Sequence, residues 1–365
     1  MVSHLFSPVN FGDLSIPNRL VVSPMCQYSV EKNDGVPHDW HLVHLGSRAV
    51  GGAGVVMAEA TAVTPDGRIS PADTGIWSAT HANAWKPITE FIKSQNSVPG
   101  IQLSHAGRKA STSVPWKTDG ARPVQPEDGG WEVVAPSDIP WTPYGDSPPL
   151  HVLETDEISE IVDHFANAAL LAADSGFEIV EIHAAHGYLL HEFLSPVSNT
   201  RDDEYGGSFE NRTRIVREIV SAIRDVWEKP LWLRISASDW LDDRESWTLE
   251  DSIRLSRDVG SMGVDVIDVS SGGIHLEQEQ PHTGANNQVL LAEAIKNETD
   301  IRVCAVGGIK SPAQADALIR NERADFAAVA RQFLREPYLG LNAARALDQR
   351  EKVYWPPQYE RSIRE

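Results

Sequence analysis

Short apolar runs rich in β-branched residues alternate with longer segments of helical pattern along most of the chain. Runs of this length and composition are typical of buried strands. Because a helical segment separates successive runs, the strands are predicted to pair in parallel. Eight runs have this character, at residues 19–23, 53–59, 99–104, 177–183, 230–236, 264–270, 301–306 and 324–329.

Eight strand–helix units in 365 residues favour a closed (β/α)8 barrel, the TIM barrel of the α/β class, over a doubly wound sheet. No Gly-x-Gly-x-x-Gly follows the first run, as a dinucleotide-binding sheet would require. Two helix starts carry possible capping boxes, Thr248 to Asp251 and Ser311 to Gln314. The second also has Pro312 in the first helical position, where proline is favoured.

Two segments fall outside this alternation. The first 18 residues hold Gly12 and Asp13 between two apolar runs and predict a hairpin that closes the bottom of the barrel. Residues 111–153, rich in Pro, Trp and Gly, follow the third strand and are expected to overhang the catalytic face as a long loop. Neither is expected to form a separate unit, so residues 1–365 are predicted to form one domain.

Charge and composition restrict the partners of the chain. A formal net charge of −20 would repel nucleic acid and anionic lipid, so neither is an expected partner. No stretch approaches the roughly 18 apolar residues of a membrane span, and no signal peptide is recognisable, so a soluble cytoplasmic protein is expected. Cys26 and Cys304 are too few for a disulfide scaffold or a four-cysteine iron–sulfur or zinc site.

Polar or special residues collect at the carboxyl ends of the predicted strands, where barrel enzymes place their active sites. In strand order they are Ser23 to Tyr28, Glu59 to Thr61, Gln102 with His105 to Lys109, His183 to Tyr188, Arg234, Ser270 to Gly273, Gly307 with Gly308, and Ala330 with Arg331.

The ends of the seventh and eighth strands predict a phosphate site. Gly307 and Gly308 let backbone N–H groups approach an anion, and Arg331 can add a bidentate contact. This is the usual phosphate position in barrel enzymes, so a phosphate-bearing cofactor is predicted. The alternative is that the two glycines only make a tight turn.

His183 and His186 are three residues apart, which on a helical turn brings both imidazoles to one side. Each could then donate a hydrogen bond to one ligand oxygen. A zinc pair is a rival interpretation, but no third ligand stands at comparable spacing, so no metal is predicted. A purely structural role for both histidines stays open. Tyr188 could give a proton to a substrate or simply pack.

Cys26 and Lys109 each allow two interpretations. Cys26 is either a small buried hydrophobe or a thiol that touches the cofactor. Lys109 could form a Schiff base, as in an aldolase, if burial lowered its pKa. Most lysines are solvated, and the phosphate-type loops do not require that chemistry.

With these motifs in order, the chain resembles the Old Yellow Enzyme family, and within it the thermophilic-like subclass that includes the xenobiotic reductases. The resemblance spans nearly the whole chain. It rests on Ser-Pro-Met-Cys-Gln-Tyr at 23–28, Glu-Ala-Thr at 59–61, His-Ala-Gly-Arg-Lys at 105–109, His-Ala-Ala-His-Gly-Tyr-Leu at 183–189 and Asn-Thr-Arg-Asp-Asp-Glu-Tyr-Gly-Gly-Ser at 199–208.

The resemblance implies a barrel that holds FMN non-covalently and uses NADPH or NADH as co-substrate. It implies flavin-ring contacts by Ser23, Pro24, Met25, Cys26, Ala60, Gln102 and Arg234, and phosphate contacts by Gly307, Gly308, Ala330 and Arg331. It also implies that His183 and His186 bind a substrate carbonyl oxygen, that Tyr188 supplies the proton, and that Tyr28 and Lys109 border the substrate pocket.

In the subclass, an arginine near the C-terminus reaches into the neighbouring subunit's site, and Arg361 in the ending Gln-Tyr-Glu-Arg resembles it. The tail at about 351–365 is therefore expected to contact a neighbour in a homodimer or homotetramer. The chain departs from the family at Ala330, where glycine commonly precedes the phosphate arginine, and over residues 111–153.

The activity that the resemblance implies is FMN-dependent reduction of the activated C=C bond of an enone or a related nitro compound. One alternative is a non-catalytic flavin-binding protein, which would not need His183, His186 and Tyr188. A second is a related flavin barrel that oxidises amines or reduces dienoyl thioesters. Such relatives usually carry an iron–sulfur cluster, which two cysteines exclude.

Overall fold

A computed structural model describes residues 4–362, and in it all eight predicted runs are strands of one closed parallel barrel. In chain order the strands of this part of the chain are β1 (Val9–Phe11), β2 (Leu14–Ile16), β3 (Leu20–Val22), β4 (Val55–Ala62), β5 (Val98–Ser104), β6 (Val133–Ala135), β7 (Leu150–Val152), β8 (Ile179–Ala184), β9 (Leu231–Ser236), β10 (Val266–Ser270), β11 (Arg302–Ala305) and β12 (Phe326–Val329). Around the barrel the order is β3, β4, β5, β8, β9, β10, β11 and β12, which pairs back with β3. The predicted (β/α)8 fold is confirmed.

Helices separate the barrel strands, as the alternation predicts. They are α1 (Asp39–Val50), α2 (Ala79–Ser94), α3 (Thr155–Asp174), α4 (Leu189–Leu194), α5 (Phe209–Arg212), α6 (Arg214–Arg224), α7 (Leu249–Ser261), α8 (Val289–Glu298), α9 (Pro312–Arg320), α10 (Arg331–Arg335) and α11 (Leu339–Ala346). Both predicted capping boxes are present, with Thr248 at the start of α7 and Ser311 at the start of α9. None of the helices within residues 4–362 is long and apolar enough to cross a membrane.

The second barrel strand differs from its predicted bounds. It was expected to end at residue 59, but β4 continues to Ala62, so Glu59 to Thr61 lie inside the strand and do not follow it. The pairing of β4 with β5 shifts register between Ala58 and Ala60, which makes Glu59 a bulge residue. A bulge bends a strand and turns a side chain in a new direction. Here it directs the buried Glu59 toward the loop after β3, where its carboxylate accepts from the Gln27 N–H at 3.2 Å.

The predicted N-terminal hairpin is confirmed as β1 and β2, which pair antiparallel. It closes the amino-terminal end of the barrel, because the Phe11 ring stacks on Phe326 with 6.4 Å between ring centroids. Trp232 also packs against Phe326, at 5.1 Å between centroids. These rings belong to an apolar plug that fills this end of the barrel and comprises Val9, Ile16, Val21, Val55, Met57, Val98, Ile179, Trp232, Val266, Cys304, Val306, Phe326 and Ala328.

Residues 111–153 lie over the opposite, carboxyl end of the barrel, as predicted. They are not a structureless loop, since β6 and β7 pair in parallel within them. Trp116 makes an edge contact with Tyr28, at 5.7 Å between ring centroids. The Trp141 ring lies 4.0 Å from the Lys109 ammonium, and Ile139 O accepts from the Arg108 guanidinium at 2.9 Å. The segment therefore borders the face where the predicted site residues meet.

Candidate active site

The loop after β8 brings the two predicted histidines together, but not by a helical turn. His183 is still in the strand, and His186 adopts a left-handed conformation with φ of 63°. This conformation is unusual for a non-glycine residue. It brings the His186 imidazole next to that of His183, with 5.2 Å between the ring centroids. The prediction that the rings share one side is confirmed, and the helical reason given for it is wrong.

Hydrogen bonds constrain which ring nitrogens carry hydrogen. The Ala185 N–H donates to His183 Nδ1 at 3.3 Å, so the hydrogen of a neutral His183 ring lies on Nε2. Burial, with Arg234 second, holds the pKa of both imidazoles well below the usual value, so both are neutral near pH 7. His186 Nε2 lies 2.8 Å from Ser270 Oγ, which also reaches Gln288 Oε1 at 3.1 Å.

A buried network holds the histidine loop in place. The Gly187 N–H donates to His191 Nδ1 at 2.9 Å, so His191 Nε2 carries the hydrogen that it donates to Asp239 Oδ1, also at 2.9 Å. Asp239 Oδ2 accepts from the Ser195 hydroxyl and from the Trp247 N–H. His191, Ser195 and Asp239 are all fully buried, so each of these polar groups must be satisfied within the protein.

Lys109 reinforces the same loop from the neighbouring strand end. Its ammonium donates to His186 O at 2.8 Å and to Gly273 O, and it lies 6.0 Å from the Tyr188 ring centroid. Burial lowers the pKa of Lys109 to about 7. Lys109 thus lies beside Tyr188, and its ammonium is bound by two backbone carbonyls.

The carboxyl-terminal opening of the barrel is called the mouth. Tyr188, Tyr28 and Cys26 meet on the side of it that adjoins residues 111–153. The Tyr188 ring lies 5.0 Å from that of His183, measured between centroids. The Tyr28 hydroxyl lies beside the Cys26 thiol, and all three side chains pack against a small apolar cluster. Burial raises the pKa of Tyr188 and of Cys26 well above the usual values, so phenol and thiol keep their protons at neutral pH.

Arg234 lies between the mouth and the interior of the barrel. Its Nη1 donates to Ser23 Oγ at 3.3 Å, and its Nε lies 3.4 Å from Asp268 Oδ2. On the adjoining strands the Gln102 amide donates to Glu181 Oε1 at 2.7 Å. All of these side chains are buried. Together they form a polar layer, defined as Gln102, Glu181, Arg234 and Asp268, between the apolar plug and the mouth.

The predicted phosphate residues also meet at one edge. β11 and β12 are neighbours, so Gly307 and Gly308 lie beside Ala330 and the exposed Arg331. The glycines have φ of 115° and 62°, and a Cβ on Gly308 would come within 2.4 Å of Gly284 O. Side chains are therefore excluded here because residues 284–288 of the chain pack directly against the two glycines.

The structure brings most of the predicted site residues to this mouth and leaves one away from it. Pro24, Met25 and Cys26 follow β3, and Ala60 pairs in register with Gln102. Arg361 is exposed in a turn over Pro357–Ser362, where Tyr359 contacts Tyr338. Its role toward a neighbouring subunit stays a prediction, and residues 363–365 of the tail lie outside the described residues.

Sequence reasoning missed several residues that surround the site. Glu181 and Asp268 face it from the barrel strands, and His191 with Asp239 supports the histidine loop. A signal for two of them was present, since Glu181 and Asp268 each lie between apolar neighbours inside a predicted strand. Charged residues at buried strand positions are rare unless they are paired.

The fold and the mouth define the protein as a barrel enzyme with neutral imidazole donors, a protonated phenol and a glycine-rich anion site. The sequence profile described as NADH:flavin oxidoreductase / NADH oxidase family matches residues 4–350. The chain belongs to this family, which confirms the resemblance to the Old Yellow Enzymes, and it is a flavin-dependent oxidoreductase.

Named relatives agree with this assignment. An NADPH dehydrogenase of Bacillus velezensis is 42% identical over 362 residues, 99% of this chain and 100% of its own. An NADPH dehydrogenase of Geobacillus sp. is 42% identical and covers 100% of both chains. Among solved structures, morphinone reductase superposes with a TM-score of 0.76 at 25% identity, covering 94% of this chain and 90% of its own.

The residues of the mouth fit a flavin that carries a phosphate. The buried Arg234 carries a positive charge beside the loop after β3, where its Nη1 donates to Ser23 Oγ, and a cation in this position suits a ligand with partial negative charge. The left-handed backbone of Gly307 and Gly308 lies beside the exposed Arg331, and glycine backbone next to a guanidinium suits a phosphate. Arg234 thus suits the ring of such a flavin, and the glycine pair suits its phosphate.

Proposed function

We propose that this protein is an FMN-dependent NAD(P)H ene-reductase that reduces the activated C=C bond of α,β-unsaturated carbonyl compounds, and also of nitro compounds. The observation that carries the proposal is the pair of neutral imidazoles at 5.2 Å with the Tyr188 ring beside them. Bound FMN supplies the hydride. NADPH or NADH and the enone occupy the same mouth in turn, which is a ping-pong order.

The cofactor is proposed to bind non-covalently along the mouth. The ring is contacted by Ser23, Pro24, Met25, Cys26, Ala60, Gln102 and Arg234, and the phosphate by Gly307, Gly308, Ala330 and Arg331. Support comes from the convergence of these strand ends and from the left-handed glycine pair. Arg234 supplies positive charge beside the part of the ring where negative charge develops on reduction.

His183 and His186 are proposed to hold the substrate oxygen. His183 donates from Nε2, because its Nδ1 accepts from Ala185 N–H. In the structure the single Ser270 hydroxyl hydrogen is donated to Gln288 Oε1; when the hydroxyl turns to donate to His186 Nε2 instead, the hydrogen of His186 lies on Nδ1 and gives the second donor. Two donors stabilise the oxygen as it becomes an enolate, and one such donor is worth about 3 kcal/mol in comparable sites.

Tyr188 is proposed to complete the reaction by giving a proton to the α-carbon. Its raised pKa keeps the phenol protonated until the substrate carbanion forms. Tyr28 and Lys109 border the same pocket, and the tryptophans of residues 111–153 limit the access of water. Residues 1–365 are proposed to act as one FMN-binding barrel in the cytoplasm, in a homodimer or homotetramer in which Arg361 reaches a neighbour.

Phenol binding and separate half-reactions test the histidine pair. Phenolates place an oxygen where the enolate oxygen would form, so His183→Ala and His186→Ala should each weaken phenol binding and slow reoxidation by cyclohexenone about 100-fold. Flavin reduction by NADPH should fall less. Stopped-flow absorbance measures both half-reactions, and a flavin charge-transfer band measures phenol affinity.

Ser159→Ala on the exposed face of α3 is the control and should change neither half-reaction. Unaltered phenol affinity in a folded double histidine variant would remove the pair from substrate binding. A wild-type protein that binds and releases FMN but reduces no enone would support the flavin-binding alternative and contradict ene-reduction.

A further inference from the structure

The polar layer contains a carboxyl pair that the proposed reaction does not use. Glu181 in β8 and Asp268 in β10 come within hydrogen-bonding reach of each other across the barrel. Glu181 is 1% and Asp268 is 2% exposed, so both carboxyl groups are buried. Arg234, on the strand between them, approaches Asp268 from the mouth, and Gln102 donates to Glu181 from the other side.

Two facing carboxylates in this position lack a donor between them. Asp268 Oδ1 has no hydrogen-bond donor among the described residues, and two buried carboxylates repel each other. A proton on Glu181 supplies the missing donor and removes the repulsion. Glu181 is the partner that carries it, because burial and then Asp268 raise its pKa to about 8.

The net charge of the polar layer depends on whether Glu181 holds this proton. With Glu181 protonated, Asp268 carries one negative charge and balances the guanidinium of Arg234. When the proton leaves, the layer has one net negative charge. Because the layer is buried, such a change is screened little and acts strongly on a neighbouring ligand.

We propose that Glu181 and Asp268 form a proton-sharing pair that sets the charge behind Arg234, and through it how strongly this protein favours reduced over oxidised flavin. The inference rests on the proposed binding of FMN beside Arg234. Glu181 and Asp268 are positioning residues, since they act through the guanidinium and touch neither substrate nor the reacting atoms.

The pair couples flavin reduction to pH. Reduction to the anionic flavin takes up two electrons and one proton, and the added negative charge favours uptake of a second proton, from solvent, by Glu181. Near pH 8 the midpoint potential should therefore fall more steeply with pH than the roughly 30 mV per unit of a one-proton, two-electron couple. Well below that pH the pair is already protonated and the one-proton slope returns.

The other titratable or charged groups that interact with the pair are Arg234 from β9 and Cys304 from β11. Burial, with Asp268 and Glu181 next, raises the pKa of Cys304 well above its usual value, so its thiol stays neutral. From β3, β4 and β12 the plug contributes the apolar Val21, Met57 and Ala328. The part of the slope near pH 8 that Glu181→Gln removes therefore belongs to the carboxyl pair.

Equilibrium redox titration of the FMN-bound protein from pH 6 to 9 tests the inference without any enone. Glu181→Gln keeps the charge of the protonated acid, so its midpoint at pH 6.5 should match wild type and its slope near pH 8 should fall to the one-proton value. The double variant E181Q/D268N leaves Arg234 unopposed. It should favour reduced over oxidised flavin at least about tenfold more than wild type does, which is a positive shift of the midpoint potential by about 30 mV.

Glu192→Gln is the matched control, because burial also raises the pKa of this acid to about 8 but it lies against Arg108. It should keep the wild-type slope. A one-proton slope in wild type, or a steep slope that survives E181Q, would overturn the inference.

Infrared spectroscopy gives a second measurement in case E181Q fails to fold. The wild-type protein should show the carbonyl band of a protonated carboxylic acid that changes on flavin reduction near pH 8, and the absence of any such change would also overturn the inference. A protein that fails to reduce enones yet behaves as described would contradict ene-reduction alone. A protein that binds no flavin would instead refute the proposed function.

Discussion

At the scale of single residues, burial decides the protonation of several acids in this protein. Glu192 in α4 is fully buried, and within residues 4–362 only one of its carboxyl oxygens has a hydrogen-bond partner, the Arg108 N–H at 2.9 Å. Burial raises the pKa of Glu192 to about 8, although Arg108 and Lys109 act in the opposite direction. A neutral acid at this position avoids the large cost of an unpaired buried charge.

This raised pKa predicts a pH dependence of stability. Between about pH 4.5 and 8 the folded protein keeps the Glu192 proton that the unfolded chain releases, so the free energy of unfolding falls as pH rises. Glu192→Gln removes this contribution and should reduce that fall by up to about 1.4 kcal/mol per pH unit. Urea unfolding of both proteins at intervals from pH 5.5 to 8 measures the difference.

Glu90→Gln on the exposed face of α2 is the control for this prediction. If both variants weaken the fall of the unfolding free energy with pH equally, or if Glu192→Gln does not weaken it, Glu192 does not hold its proton in the folded state.

At the scale of single elements, short-range chemistry fixes where helices begin. In the Thr248 capping box, the threonine hydroxyl accepts from the Asp251 N–H at 3.2 Å and the Asp251 carboxylate accepts from the Thr248 N–H at 3.0 Å. All of these atoms lie within four consecutive residues. Such a motif forms wherever the following segment is helical, which is why the sequence alone revealed it.

The cap of α7 leads to a prediction for this helix. Thr248→Ala leaves the Asp251 N–H without its side-chain acceptor and should lower the free energy of unfolding by about 1 kcal/mol. Ser221→Ala, at an exposed position inside α6, should change it by less than half as much. Equilibrium denaturation with urea compares the two, and equal losses would show that the cap contributes nothing specific.

At the scale of the whole molecule, the barrel has three levels along its axis. The apolar plug closed by the hairpin lies at one end, the polar layer follows, and the mouth with its imidazoles, phenol and glycines lies at the other end. Outside the barrel, Leu334, Tyr338, Tyr354 and Tyr359 leave large apolar or aromatic side chains exposed near the tail. Such a group of side chains is a typical protein contact surface.

The proposed oligomer can be tested at this scale. Light scattering after size exclusion should give at least twice the 40.1 kDa of one chain. Removal of residues 357–365, which include Tyr359 and Arg361, should shift the mass toward one chain, while Arg361→Ala should keep the oligomer and raise the KM for the enone. A wild-type mass of one chain would exclude the proposed contact between subunits.

The sequence by itself determined the eight strands, their parallel order, the hairpin, the helix caps and the residues at each strand end. These features follow from local periodicity, from capping within four residues and from the rule that parallel strands share their carboxyl ends. Only the tertiary structure decided the Glu59 bulge, the left-handed His186, the His191–Asp239 support and the pairing of Glu181 with Asp268. Each of these depends on the register of strands or loops that are distant in the chain, and on the burial that follows once the barrel is closed, so no local pattern encodes it.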